Sequence, residues 1–133
     1  MSSEKKSTVC QVYTDGACKG NPGIGGWGAM IIEDGKETKI KGCDPQTTNN
    51  RMELTAVIKS LEALDTDKQI TLFTDSKYVQ NGITIWIENW KKNQWQTSSK
   101  KPVKNIDLWQ TLELLCENRT INWEWVKGHS GNV

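Results

Sequence analysis

The chain has 133 residues, 35% of them apolar, and carries 17 basic against 16 acidic side chains. That length fits one domain, read as spanning residues 1–133, and a net charge of +1 gives no compositional sign of a nucleic-acid binder. The longest apolar run, Ala29 to Ile32, is four residues, which excludes a membrane-spanning helix as a reading of this sequence.

The start, Met-Ser-Ser-Glu-Lys-Lys-Ser, has no apolar signal core, and residues 1–7 read as a disordered tail. The four cysteines, at 10, 18, 43 and 116, show no Cys-x-x-Cys spacing, so neither a zinc ribbon nor a redox pair is indicated. The expectation is a cytoplasmic protein with free thiols. Val9 to Thr14 is β-rich and ends at Asp15-Gly16. A glycine-dense turn, Gly20 to Gly26, precedes a strand over Trp27–Glu33. Asp34-Gly35 signals a hairpin into a polar return strand, Lys36–Cys43.

Thr47, Thr48, Asn49 and Asn50 are candidate N-caps for a helix whose apolar stripe is Leu54, Val57, Ile58, Leu61 and Leu64. Ile70–Thr74 reads as a strand, followed by a short helix capped by Asp75-Ser76 and broken at Gly82. Helical spacing resumes over Ile83–Trp90 and again over Ile106–Cys116. Residues 91–104 lack periodicity. Ile121, Trp123 and Trp125 alternate with polar residues, as in a half-buried strand. The order βββαβααβ defines an α/β domain on a mixed sheet.

Asp15 and Asp75 stand where their strands end, and Glu53 falls in the first turn of the long helix. In open α/β sheets, sites form at the carboxyl ends of strands. Two ionised carboxylates about 4 Å apart repel by roughly 4 kcal/mol at an effective dielectric near 20. A convergent trio therefore calls for shared protons or a divalent cation. Oxygen donors without nearby His or Cys favour magnesium or manganese. Taken one at a time, each acid also has a structural use, as a cap or a partner of a helix dipole.

The flanking segments carry more than this. Thr14-Asp15-Gly16-Ala17-Cys18-Lys19-Gly20-Asn21-Pro22-Gly23 resembles the first active-site strand and loop of type 1 ribonuclease H. Thr48-Asn49-Asn50-Arg51-Met52-Glu53-Leu54 is similar to that family's second motif, and Thr74-Asp75-Ser76-Lys77-Tyr78-Val79 to its third. Trp86 to Lys92 resembles the basic protrusion of the stand-alone bacterial-type enzymes. The resemblance implies a five-stranded mixed sheet with its first three strands antiparallel. It further implies two magnesium ions (manganese as the alternative) on Asp15, Glu53 and Asp75, and hydrolysis of the RNA strand of RNA–DNA hybrids to 3′-hydroxyl and 5′-phosphate ends. Gly16, Cys18, Asn21, Asn49 and Asn50 are then expected at the minor groove, with Thr48 on a DNA phosphate. Asn105, from the Pro102-to-Asn105 stretch, joins the expected substrate contacts. Lys77 departs from the family's usual amide and trades a groove contact for a phosphate contact. No obligate protein partner is implied, and a monomer is expected.

Residues 86–105 hold Lys91, Lys92, Lys100, Lys101 and Lys104 against the single acid Glu88. Trp86, Trp90 and Trp95 interleave with them, so the segment is expected to grip the DNA backbone as a basic handle. His129, the only histidine, matches the family's mobile active-site histidine, and its ordinary pKa suits proton shuttling. The family's fourth carboxylate lies further on, at the start of a C-terminal helix, whereas only four residues follow His129 here. The expectation is a chain truncated before that helix, with Asn132 as the substitute for the fourth acid. The alternative is a catalytically impaired module that binds hybrids without cutting them.

Overall fold

The computed structural model describes residues 9–127. Alternation builds the centre of the sheet. In β1 (Val9–Cys18), Cys10 and Val12 turn inward and are fully buried, while Val9, Gln11 and Tyr13 face out. β2 (Gly23–Glu33) pairs antiparallel with β1 and β3 (Lys36–Thr47) antiparallel with β2, while β4 (Gln69–Thr74) pairs parallel with β1 and β5 (Thr120–Trp125) parallel with β4. The sheet order is β3-β2-β1-β4-β5. This is the expected five-stranded mixed sheet with three antiparallel strands first.

One long helix covers the inner face. α1 (Asn49–Glu62) starts at Thr48, whose hydroxyl accepts the Arg51 amide at 3.2 Å. Thr48, rather than Thr47, is the cap, because Thr47 still belongs to β3. The helix buries Leu54, Val57, Ile58 and Leu61 against β1 and β2. Each such side chain contributes about 1.5–3 kcal/mol of burial.

Four boundaries differ from the sequence expectation. β3 does not end at Cys43 but runs on to Thr47. β1 does not end at Asp15 but runs on to Cys18, and only its parallel pairing with β4 stops, at Tyr13. β2 starts at Gly23, not Trp27. A Cβ at Gly25 would lie 2.5 Å from the Thr47 side chain and 2.9 Å from the Ala17 carbonyl, so this glycine allows strands to close up rather than turn. Gly82 does not break the helical run. α2 (Lys77–Asn81) passes through a π-helical turn (Gly82–Trp86) directly into α3 (Ile87–Lys92). Gly82 is needed for contact: a Cβ there would run into the ring of Trp109.

Trp109, in α4 (Ile106–Cys116), is the largest fully buried side chain and donates its Nε1–H to the Tyr78 hydroxyl at 2.9 Å. Trp123 and Trp125 stack at 5.4 Å and are half-buried against the core. Among the described residues, no helix is long and apolar enough to cross a membrane.

Candidate active site

Asp15 is carried past the last parallel β1–β4 pair, where only β2 still flanks it, through Gly28. Asp75 follows the last residue of β4 and is half-buried. Glu53 is the fifth residue of α1, so it lies beyond the first helical turn, which contains no acid. The structural use suggested for it, as a dipole partner in that turn, is therefore not met.

The strand and the helix touch beside these acids. A Cβ on Gly16 would stand 2.6 Å from both the Glu53 amide nitrogen and the Met52 carbonyl carbon, so only glycine lets β1 come this near. Ser76 ties in the third element. Its hydroxyl accepts the Val79 amide at 3.0 Å, capping α2, and donates to Glu53 Oε1 at 2.6 Å. Ser76 is thus the cap of α2.

Burial pushes the Glu53 carboxyl above the usual carboxylate range, opposed by the Ser76 hydrogen bond and reinforced by the charges of Asp75 and Asp15. Asp75 and Asp15 thus both act electrostatically on Glu53. Their chemistry fits a hard divalent cation: oxygen donors only, with a crowded negative charge that a cation would relieve. Among the described residues, no three His, Cys, Asp or Glu side chains already stand together as a ready-made metal cage. Shallow hollows of about 200 and 440 Å³ lie beside Asp75 and Asp15, lined by Thr14 and Tyr13 in both cases.

The expected substrate contacts sit around this point. Asn49 and Asn50 are exposed in the first turn of α1, Asn21 is exposed in the turn before β2, and Lys77 is exposed at the start of α2. Cys18 is partly buried, with its thiol 3.2 Å from the Thr47 carbonyl. Thr48 spends its hydroxyl on the helix cap.

In the handle, Trp86, Trp90 and Trp95 are half-buried and pack inward: Trp86 meets Trp90 at 5.7 Å, Trp90 meets Trp95 at 6.1 Å and Trp109 at 5.3 Å. Their first task is to fasten the handle to the body. Lys91 is ion-paired with Glu113 at 2.9 Å, whereas Lys92 is exposed. Asn105 uses its side chain internally, accepting from Arg51 at 3.1 Å and donating to Tyr78 at 3.0 Å. His129 and Asn132 lie outside the described residues, as do residues 1–7.

A carboxylate on β1 just past its pairing with β4, another directly after β4, a glycine-backed helix bearing a third acid, and a basic tryptophan-rich handle define a hydrolase-type α/β domain of the nuclease class. Comparison with known proteins agrees. The RNase H family description matches residues 7–133. Ribonuclease H from Alcanivorax borkumensis is 59% identical over 121 residues, covering 91% of this chain and 80% of that one. The crystal structure of LC9-RNase H1, a type 1 RNase H with the type 2 active-site motif, superposes with a TM-score of 0.80 at 31% identity, covering 94% of this chain and 65% of that one. LC11-RNase H1, solved in complex with RNA/DNA hybrid, shares the fold at a TM-score of 0.68 and 19% identity, covering 92% of this chain and 88% of that one. The chain belongs to the RNase H family, and within it to the stand-alone ribonuclease H enzymes.

Proposed function

We propose that the chain is an endonuclease for the RNA strand of RNA–DNA hybrids, with Asp15, Glu53 and Asp75 holding two divalent cations, magnesium or manganese. What supports this reading is that Gly16, next to Asp15, lies against the Glu53 backbone, while Ser76, next to Asp75, donates to Glu53 Oε1 at 2.6 Å. When bound, the cations would supply an activated water and neutralise the leaving oxygen, consistent with 3′-hydroxyl and 5′-phosphate products. LC11-RNase H1, which shares the fold, is itself found with a hybrid.

The chain's own residues would do the rest. Asn49, Asn50, Asn21, Cys18 and the Gly16 backbone would meet the minor groove, where 2′-hydroxyls offer both donor and acceptor. Such contacts carry no sequence code, so cleavage is nearly sequence-independent. Thr48, Asn105, Lys77 and Lys92 would meet phosphates, fixing register. Trp86, Trp90 and Trp95 would hold the handle's lysines in place and present their free edges to the DNA strand. His129 would exchange protons near the departing product, and Asn132 would offer a neutral oxygen in place of a fourth acid. The protein would act in the cytoplasm as a monomer.

The test separates binding from cutting. Asp15→Asn, Glu53→Gln and Asp75→Asn are each expected to bind an RNA–DNA hybrid and to lose cleavage in magnesium. A variant that cuts at the original rate removes that acid from the proposed site.

A further inference from the structure

Arg51, placed between the two asparagines and Glu53, has no part in the chemistry above, yet it is the most connected side chain of α1. Its guanidinium forms a fork on Asp107 of α4, with Nη1 to Oδ1 at 3.0 Å and Nη2 to Oδ2 at 2.8 Å. Nη1 also donates to Asn105 Oδ1 at 3.1 Å. Asn105 lies in the left-handed region (φ 59°, ψ 30°) and makes no side-chain cap for α4. Its amide instead bridges Arg51 to the Tyr78 hydroxyl, which also accepts from Trp109. The Tyr78 ring meets Trp86 at 5.7 Å, at the base of the handle.

We propose that Arg51 and Asp107 are positioning residues that register the substrate-facing first turn of α1 against the basic handle, through Asn105 and Tyr78. This rests on the hybrid-binding function proposed above.

Stability alone does not account for the fork. The Asp107 side chain is 62% exposed and that of Arg51 35%. Ion pairs this exposed contribute little to folding, and α1 and α4 are already anchored by Leu54, Leu61, Trp109 and Leu112 in the core. A planar fork does fix direction, because both of its hydrogen bonds weaken if either helix turns. Its two ends sit on the elements that carry Asn49 and Asn50 on one side and lead to Trp86 on the other. A lysine at 51 would keep the charge and lose that direction.

The experiment uses Arg51→Lys, Asp107→Asn and the double variant. Hybrid affinity is read by fluorescence anisotropy without metal, KM and kcat are read with magnesium, and unfolding is followed by circular dichroism. Both single variants are expected to unfold within a few degrees of the unaltered chain. Both are expected to weaken hybrid affinity and raise KM roughly 5-fold, as for a coupling interaction of ordinary size, with a smaller effect on kcat. The double variant is expected to be no worse than either single one, because all three break one link. Unchanged affinity in Arg51→Lys, or additive losses in the double variant, overturns the inference. If the unaltered chain binds hybrids but does not cut them, the catalytic function fails while the affinity comparison still decides this point. If it does not bind hybrids, both fall.

Discussion

Replacing Ser76 with alanine removes two hydrogen bonds made by one buried hydroxyl, and their separate worth can be measured. The acceptor role caps α2 through the Val79 amide at 3.0 Å. Losing such a cap costs about 1 kcal/mol. The donor role supports the Glu53 carboxylate at 2.6 Å. Buried hydrogen bonds to charged groups contribute about 1.5–3 kcal/mol, and half-burial of Glu53 discounts this to about 1 kcal/mol. Ser76→Ala should therefore lose about 2 kcal/mol, or roughly 6 °C in Tm for a domain of this size. In a Glu53→Ala background only the cap remains to be lost, so the same change should cost about 1 kcal/mol. Urea unfolding of the four proteins in EDTA at neutral pH gives both numbers. Equal costs in the two backgrounds would refute the link between Ser76 and Glu53. In the active enzyme, loss of the donor also lets Glu53 keep its proton to higher pH. The acid limb of kcat/KM should then move to higher pH in Ser76→Ala and return in Ser76→Thr.

Other expectations follow from the same geometry. The Glu53 carboxyl is raised by burial and by its acidic neighbours, so its contribution to stability is full below the ordinary carboxylate pKa and is lost as pH rises through the raised value. Glu53→Gln should accordingly raise the Tm of the metal-free chain at neutral pH and leave it unchanged at acid pH; scanning calorimetry at both values checks this. Gly82→Ala would gain about 1 kcal/mol of helix propensity but force a methyl into the Trp109 ring, a cost of about 3 kcal/mol, for a net loss measurable by urea unfolding. Glu113→Gln frees Lys91 from its 2.9 Å ion pair. If Lys91 then reaches a phosphate, hybrid affinity rises and its log–log salt slope steepens by up to roughly 0.9. An unchanged slope would remove Lys91 from the binding handle.

Much of this molecule is legible in its sequence because the signals are local. The β-rich run Val9–Thr14, and the i, i+3, i+4 recurrence of Leu54, Val57, Ile58 and Leu61, identify β1 and α1. Asp15, Glu53 and Asp75 stand out by their places near the ends of elements. What was missed depends on contacts distant in sequence. Gly25 looked like part of a turn, because nothing local shows that Thr47 and Ala17 would crowd a side chain there. Gly82 looked like a helix breaker, because its neighbour, the ring of Trp109, lies 27 residues on. Ser76 was legible as a cap, but its second bond crosses to another helix. Arg51 lies within the Thr48-to-Leu54 motif, but its partners Asn105 and Asp107 are reached only through the fold.

The most direct test of the central claim is cleavage of an RNA–DNA hybrid carrying a label at one RNA end, with magnesium and with EDTA, beside duplex RNA and duplex DNA. The expected result is cutting confined to the RNA of the hybrid, dependent on metal, at many positions along the strand. Binding of the hybrid without cuts in either magnesium or manganese would contradict it, as would equal cutting of all three duplexes.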